Sequence, residues 1–132
     1  QQLLIIQKMV TDLSLNIDIQ QGLTSRASDG LALSSRNQYL TAVERQIAPR
    51  LWETLQDCSQ TLQGTATVSF KNTLSQASDD LASAGFEVDY LELRSLQTLQ
   101  TATDLSRDCA LFVAATLGKT RLIDNIQISA AR

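Results

Sequence analysis

The stretch CALFVAATLGKTRLIDNIQI, residues 109–128, decides the fold class of this chain. Two apolar runs flank the pair Gly118-Lys119. A two-residue loop with glycine first indicates a type II′ turn, because glycine adopts positive φ without steric cost. The stretch therefore predicts an antiparallel hairpin. Its polar residues are expected to face outward, with Arg121 and Asp124 facing each other as an ordinary surface ion pair.

A third strand is predicted just before this hairpin. In residues 86–93 the apolar residues first occupy even positions and then odd positions. This change of parity indicates a strand that is buried on both faces or that contains a bulge. The acidic side chains of Glu87, Asp89 and Glu92 are expected along the solvent-facing edge of the sheet.

Two main helices are predicted to cover the sheet. Thr41 and Glu44 fit a capping box, and Pro49 predicts a kink or a new helix from about Ala48, because proline lacks a backbone donor. One apolar face then continues as far as Gly64, through Ile47, Leu51, Leu55, Cys58 and Leu62. A further helix is predicted over 67–84, with Val68, Leu74, Ala77 and Leu81 on its buried side. The fold class is therefore α+β, with two helices packed on a small, mainly antiparallel sheet.

The first residues carry a different pattern. Apolar residues at helical spacing predict a helix over 2–13, and Leu15, Ile17 and Ile19 alternate as in a short strand. A helix joined so closely to a strand is typical of an αβ unit in a parallel sheet. One such unit cannot form that sheet alone, so we expect the chain to be a segment of a longer protein.

Composition excludes several kinds of function. Eleven Lys and Arg against fourteen Asp and Glu give a net charge of −3, and histidine is absent, so this chain alone cannot build a Ser-His-Asp or Cys-His site. Without a cationic run, binding to the phosphate backbone of nucleic acid is not expected. No apolar run approaches the ~20 residues of a membrane span. Cys58 and Cys109 are expected to be buried free thiols, which suits a cytoplasmic location, and no metal site is predicted.

One polar loop carries candidate chemistry. Residues 20–37 are polar and irregular, with a strong turn signal at Asp29-Gly30. Ser34, Ser35 and Arg36 combine two hydroxyls with a guanidinium, a set of donors that suits phosphate oxygens. The alternative is a polar surface loop whose side chains bond to their own backbone.

Four segments in order resemble one enzyme family. The segment DGLALSSRNQYL at 29–40 resembles a signature of the pantothenate synthetase (pantoate–β-alanine ligase) family. The start of the chain, QQLLIIQKMVTDLSL, looks like the helix that follows that family's GEKDxQQ motif. VDYLELR at 88–94 and LGKTRLIDNI at 117–126 look like its C-terminal strands.

The resemblance implies a two-domain enzyme. Residues 1–24 would be the last helix and strand of a Rossmann-like nucleotidyltransferase domain with a linker, and 25–132 would be the C-terminal lid domain. The implied reaction joins pantoate and β-alanine through a pantoyl adenylate, giving pantothenate, AMP and pyrophosphate from ATP with Mg²⁺. The resemblance also implies a cytoplasmic homodimer for the full-length enzyme.

Site residues are implied only where the family motifs match. Ser34, Ser35 and Arg36 match the loop that grips ATP phosphates, and Gln2 matches a glutamine that hydrogen-bonds pantoate. Ser25 and Leu33 fall on the adenine side of the nucleotide, where the sequence departs from the family pattern. The lysine and aspartate of GEKDxQQ and the HxGH histidines are not among these residues. We therefore expect the 132-residue chain alone to be inactive and to bind no cofactor tightly.

Two other functions stay open from the sequence. The apolar face of the first helix would suit a stand-alone, non-catalytic interaction module. The phosphate loop would also suit another nucleotidyltransferase-like adenylating enzyme.

Overall fold

A computed structural model describes residues 1–64 and 69–130 of the chain. Within them, the fold is α+β, as predicted, with a three-stranded antiparallel sheet in the order β1-β2-β3. The elements are α1 Gln2–Asp12, a 3-10 helix Ser35–Tyr39, α2 Ala42–Ile47, α3 Arg50–Gly64, α4 Phe70–Ser83, β1 Phe86–Ser95, β2 Cys109–Leu117 and β3 Thr120–Ile128. None of the helices in these residues has the length and apolar composition needed to cross a membrane.

The sheet follows the predicted pattern. Gly118 has a φ of +60° while Lys119 lies outside the positive-φ region, as a type II′ turn requires. β2 and β3 then pair along their whole length, which confirms the hairpin. The register of β1 against β2 shifts between Val88 and Tyr90, which confirms the bulge and explains why the apolar parity changes there.

The helices begin and end for identifiable reasons. Thr41 Oγ1 accepts a hydrogen bond from Glu44 N, and Thr41 N donates to Glu44 Oε2 at 2.7 Å, which confirms the capping box. The helix breaks around Pro49, as expected, because α2 ends at Ile47 and α3 begins at Arg50. For the next helix, predicted over 67–84, the first two positions lie outside the described residues, including Val68 of its predicted buried side.

The core lies between the two main helices and the sheet. The predicted apolar face of α3 is buried from Leu51 to Leu62, and α4 contributes Ala77 and Leu81. Each large side chain buried in this way stabilises the fold by roughly 1.5–3 kcal/mol. Both cysteines are buried and free, as predicted. The largest fully buried side chains are Leu51, Leu55, Leu81, Leu93, Leu111, Ile128, Val113 and Cys109.

The first residues behave differently from the core. α1 forms close to its predicted bounds, but none of its residues is buried. The strand predicted at Leu15, Ile17 and Ile19 is wrong for this chain, because these residues lie in neither helix nor strand. Ile17 N donates locally to Leu15 O at 2.9 Å, whereas a strand requires hydrogen bonds to a neighbouring strand.

Candidate functional site

The candidate phosphate loop begins as one arm of a short hairpin. Arg26 and Ala32 form an antiparallel bridge, and Leu33 N donates to Ser25 O at 2.9 Å. The predicted turn at Asp29-Gly30 is confirmed, since Gly30 has a φ of +91°. Part of the loop that was expected to be irregular is therefore an ordered hairpin over 25–33.

The serine–arginine segment follows directly from this hairpin. Ser34 Oγ accepts a hydrogen bond from Arg36 N at 3.2 Å and so caps the 3-10 helix. Asn37 Nδ2 donates to Ala32 O at 3.0 Å, which ties the new helix back to the hairpin. Ser35 and Arg36 are exposed, and the Arg36 guanidinium makes no ion pair with any described residue. The segment thus keeps its cationic donor free for an external anion.

A cleft of about 470 Å³ brings several of the predicted residues together. Gln2 lines it from the start of α1, and Leu33, Ser34 and Arg36 line it from the loop. Ser25 and Ser35 are not among its lining residues. The first helix and the loop, which are over thirty positions apart in sequence, therefore face one cavity.

The sheet supplies polar lining residues that were not predicted as site residues. Tyr90, Arg121 and Asn125 contribute to the same cleft from β1 and β3. Arg121 Nε donates to Asp89 Oδ2 at 2.6 Å, and this hydrogen bond raises the pKa of Arg121 above its ordinary value. Among them, Arg121 adds a second cation to the cleft wall.

The expected surface pair between Arg121 and Asp124 is wrong. Asp124 is buried and accepts two hydrogen bonds from Arg26, at 2.6 and 2.9 Å. Residues three apart on a strand lie on opposite faces, so these two side chains cannot meet. The signal that sequence reasoning missed is parity, because Asp124 shares the inward face of β3 with Leu122.

The turn of the hairpin carries a second ion pair. Arg45 Nη1 donates to Asp29 Oδ2 at 2.6 Å, with both side chains partly exposed. This hydrogen bond holds the pKa of the Asp29 carboxyl below its ordinary value. In the described part of the chain, no three histidine, cysteine or acidic side chains lie close enough together to hold a metal ion.

Comparison with known sequences points to one family. The sequence profile described as Pantoate-beta-alanine ligase matches residues 1–127. A pantothenate synthetase of Acinetobacter baylyi is 50% identical over 129 residues, covering 97% of this chain and 44% of the relative. The corresponding protein of Aeromonas hydrophila is 43% identical over 132 residues, covering 100% and 46%. The chain thus spans less than half the length of these relatives.

Solved structures agree with the sequence comparison. A crystal structure of pantothenate synthetase from Thermus thermophilus has a TM-score of 0.84 at 35% identity, covering 95% of this chain and 45% of that one. The pantoate-beta-alanine ligase of Francisella tularensis, complexed with beta-gamma ATP and beta-alanine, has a TM-score of 0.65 at 30% identity, covering 95% and 39%. On sequence and on structure, the chain belongs to the pantoate–β-alanine ligase family.

Proposed function

We propose that the chain is the C-terminal part of a pantothenate synthetase, with 25–132 as a lid domain over the nucleotide. Residues 1–24 would end a Rossmann-like domain and link it to the lid. The whole enzyme would condense pantoate and β-alanine at the expense of ATP. The homodimeric state and the cytoplasmic location belong to the same proposal, because they come from the family resemblance alone.

The observation that carries this proposal is the shared cleft. Gln2, matched to a pantoate-binding glutamine, lines the same cavity as Ser34 and Arg36, matched to the phosphate grip. An adenylation site needs this arrangement, since the pantoate carboxylate must approach the α-phosphorus of ATP. The Francisella tularensis relative, whose crystal structure is a complex with beta-gamma ATP and beta-alanine, supports the same substrates here.

The residues of the loop would act by binding and by electrostatics. A pantoate carboxylate oxygen attacks the α-phosphorus, and the bond to pyrophosphate breaks with growth of negative charge on the leaving group. Arg36 would donate a planar fork of hydrogen bonds to those oxygens, and Ser34 and Ser35 would add neutral donors. The β-alanine amine then attacks the acyl carbon and AMP leaves. Gln2 would orient pantoate through its side-chain amide.

The nucleotide's other end would rest on the hairpin. Ser25 and Leu33 are joined by the backbone hydrogen bond from Leu33 N to Ser25 O, so the proposed adenine side is one ordered pair of hairpin arms.

Mg²⁺ would arrive with ATP and neutralise phosphate charge. The polar, weakly patterned stretch 20–29 was expected to contain the hinge of the lid, and we narrow this hypothesis to 20–24 because residues from 25 onward form the hairpin.

A hybrid enzyme tests the proposal. The N-terminal part of the Acinetobacter baylyi enzyme that this chain does not match would be joined to the chain, and AMP formation would be measured with all three substrates. We expect an active hybrid, and Arg36→Ala should lower kcat/KM for ATP by about 10²–10³-fold. Arg50→Ala is the matched control, because Arg50 is an exposed arginine outside the cleft. An inactive hybrid, or equal activity of both variants, would overturn the proposal.

The 132-residue chain by itself should not catalyse the ligase reaction. Purified residues 1–132 contain neither the proposed HxGH histidines nor the acidic and basic residues of GEKDxQQ. We expect no AMP formation above background with ATP, pantoate and β-alanine. Substantial turnover would contradict the division of the site between two parts of a longer enzyme.

A further inference from the structure

Arg26 joins three elements of the fold at one point. Its Nη1 and Nη2 donate to the two carboxylate oxygens of Asp124 on β3, at 2.6 and 2.9 Å. Its guanidinium lies 3.4 Å from the ring centroid of Trp52 on α3. Nη1 also donates to Gly30 O at 3.1 Å, inside the hairpin. The Arg26 and Asp124 side chains are only 17% and 3% exposed.

These contacts leave little freedom for the hairpin. The bidentate pair with Asp124 fixes the plane of the Arg26 guanidinium, and stacking on the Trp52 indole fixes its distance from α3. Trp52 also packs against the turn so closely that a Cβ at Gly30 would come within 2.5 Å of its Cδ1. The hairpin is therefore held from β3 and from α3 at once.

The hairpin in turn sets where the serine–arginine segment starts. Arg26 bridges to Ala32, and Ala32 O accepts the side-chain hydrogen bond of Asn37. The four residues between them include the proposed phosphate donors Ser34, Ser35 and Arg36. Their only side-chain bond among the described residues is the local cap from Ser34. The position of these donors consequently depends on the Arg26 anchor.

We propose that Arg26 and Asp124, with Trp52 as the stacking surface, are positioning residues that hold the phosphate-binding segment in place. The hydrogen-bonding groups of Arg26 and Asp124 are directed at each other, so the proposed role is to hold the segment and not to bind the nucleotide. The proposal rests on the proposed function for its ligand, and on the contacts above for the anchor itself. A preformed loop lowers the entropy lost when phosphate binds, and small displacements of such donors weaken binding strongly.

The test uses the 132-residue chain in three variants. Asp124→Asn keeps the shape of the carboxylate but removes its charge, and Arg26→Lys keeps the charge but removes the planar fork. Arg45→Lys is the matched control, because Arg45 pairs with Asp29 on the same hairpin from a more exposed position. Amide ¹⁵N relaxation at 34–37 and titration with inorganic tripolyphosphate are measured on each, after denaturation confirms that each is folded.

The expected result distinguishes loss of positioning by the Arg26–Asp124 pair from a general loss of stability. Asp124→Asn and Arg26→Lys should increase fast motion at 34–37 and weaken tripolyphosphate binding by about 10- to 100-fold, while Arg45→Lys changes neither. If one anchor variant does not fold, the other decides. Unchanged motion in a folded anchor variant would overturn the positioning role. Failure of the unmodified chain to bind tripolyphosphate would overturn the phosphate assignment of the proposed function instead, and the relaxation data would still judge the anchor.

Discussion

α1 and α3 are both amphipathic helices, but they differ in what their apolar faces contact. α3 buries Leu51, Leu55, Cys58, Ser59 and Leu62 against the sheet and α4. α1 buries none of its eleven residues, and Ile5, Ile6 and Met9 are between 42% and 57% exposed. The two helices have similar apolar spacing, so periodicity predicts a helix and a face but not the partner of that face.

This difference divides the chain by energetic role. The part that contains α2 to β3 has its own core, whereas the first 24 residues add almost nothing to that core. Under the proposed function, this segment would pack on the remainder of a Rossmann-like domain; the matched relatives are about twice as long as the chain. Three pairs of substitutions, in order of decreasing effect, and one pH series measure the contrast.

Truncation of one apolar side chain in each helix gives the largest contrast. Leu55→Ala should lower the free energy of unfolding by about 2–5 kcal/mol, because Leu55 is fully buried and leaves a cavity. Ile6→Ala in α1 should change it by less than about 0.5 kcal/mol, because Ile6 is already 42% exposed. Urea denaturation of both variants measures the difference. Equal losses would show that α1 packs on the core.

Glycine substitutions compare the hairpin with the N-terminal segment. Gly118→Ala should destabilise by about 1–3 kcal/mol, because its φ is +60° and a Cβ would push aside the Glu44 carboxylate that caps α2. Gly22→Ala should be neutral within about 0.5 kcal/mol, since no atom lies within 4 Å of that Cβ. Thermal unfolding of the two variants provides the comparison. A neutral Gly118→Ala would contradict the turn geometry.

Helix caps provide a third, smaller contrast. Thr41→Ala removes the capping box of α2 and should cost about 0.5–2 kcal/mol. Gln1→Ala should leave stability unchanged, because Gln1 makes no side-chain capping bond to α1. Chemical denaturation measures both changes in the free energy of unfolding. An equal loss at Gln1 and Thr41 would contradict the difference in energetic role between the first 24 residues and the part from α2 to β3.

Alkaline pH gives a further contrast, to which Cys58 in α3 contributes. Burial, with Asp57 and Asp80 nearby, raises the pKa of the Cys58 thiol from 9.0 to about 11. Between pH 9.0 and about 11, the Cys58 thiol is deprotonated in the unfolded chain but still protonated in the folded chain. The folded state therefore binds more protons, and the free energy of unfolding falls as pH rises. Cys58→Ala should fall less steeply across this range. Identical slopes for the two proteins would contradict a buried neutral thiol.

Sequence reasoning succeeded where structure is local. The hairpin turn at Gly118, the capping box at Thr41 and the apolar face of α3 depend on residues within a few positions of each other. The ion-pair partner of Asp124 was predicted wrongly because the true partner, Arg26, lies 98 positions away and comes near only in the folded chain. The strand predicted around Ile17 was wrong because alternating apolar residues indicate a strand only where a neighbouring strand can pair with it, and none pairs with these residues in the described part of the chain.

The candidate site divides in the same way. Residue types and the family resemblance together predicted phosphate donors at 34–36, because hydroxyls beside a guanidinium suit phosphate oxygens, and this role stays a prediction. Their support by Asn37 and Arg26, and the presence of Arg121 in the cleft wall, required the tertiary arrangement. Local chemistry thus identifies what can bind, and the fold identifies what holds it.

In the proposed function, this cleft binds the ATP phosphates through the serine–arginine segment, and amide chemical-shift mapping on the 132-residue chain measures that binding. Titration with Mg·ATP should perturb the amides of 33–37 together with the Arg121 side chain, with weak affinity, and Arg36→Ala should abolish the changes while Arg50→Ala preserves them. Perturbations that spare 33–37, or that persist unchanged in Arg36→Ala, would show that ATP does not bind through this segment.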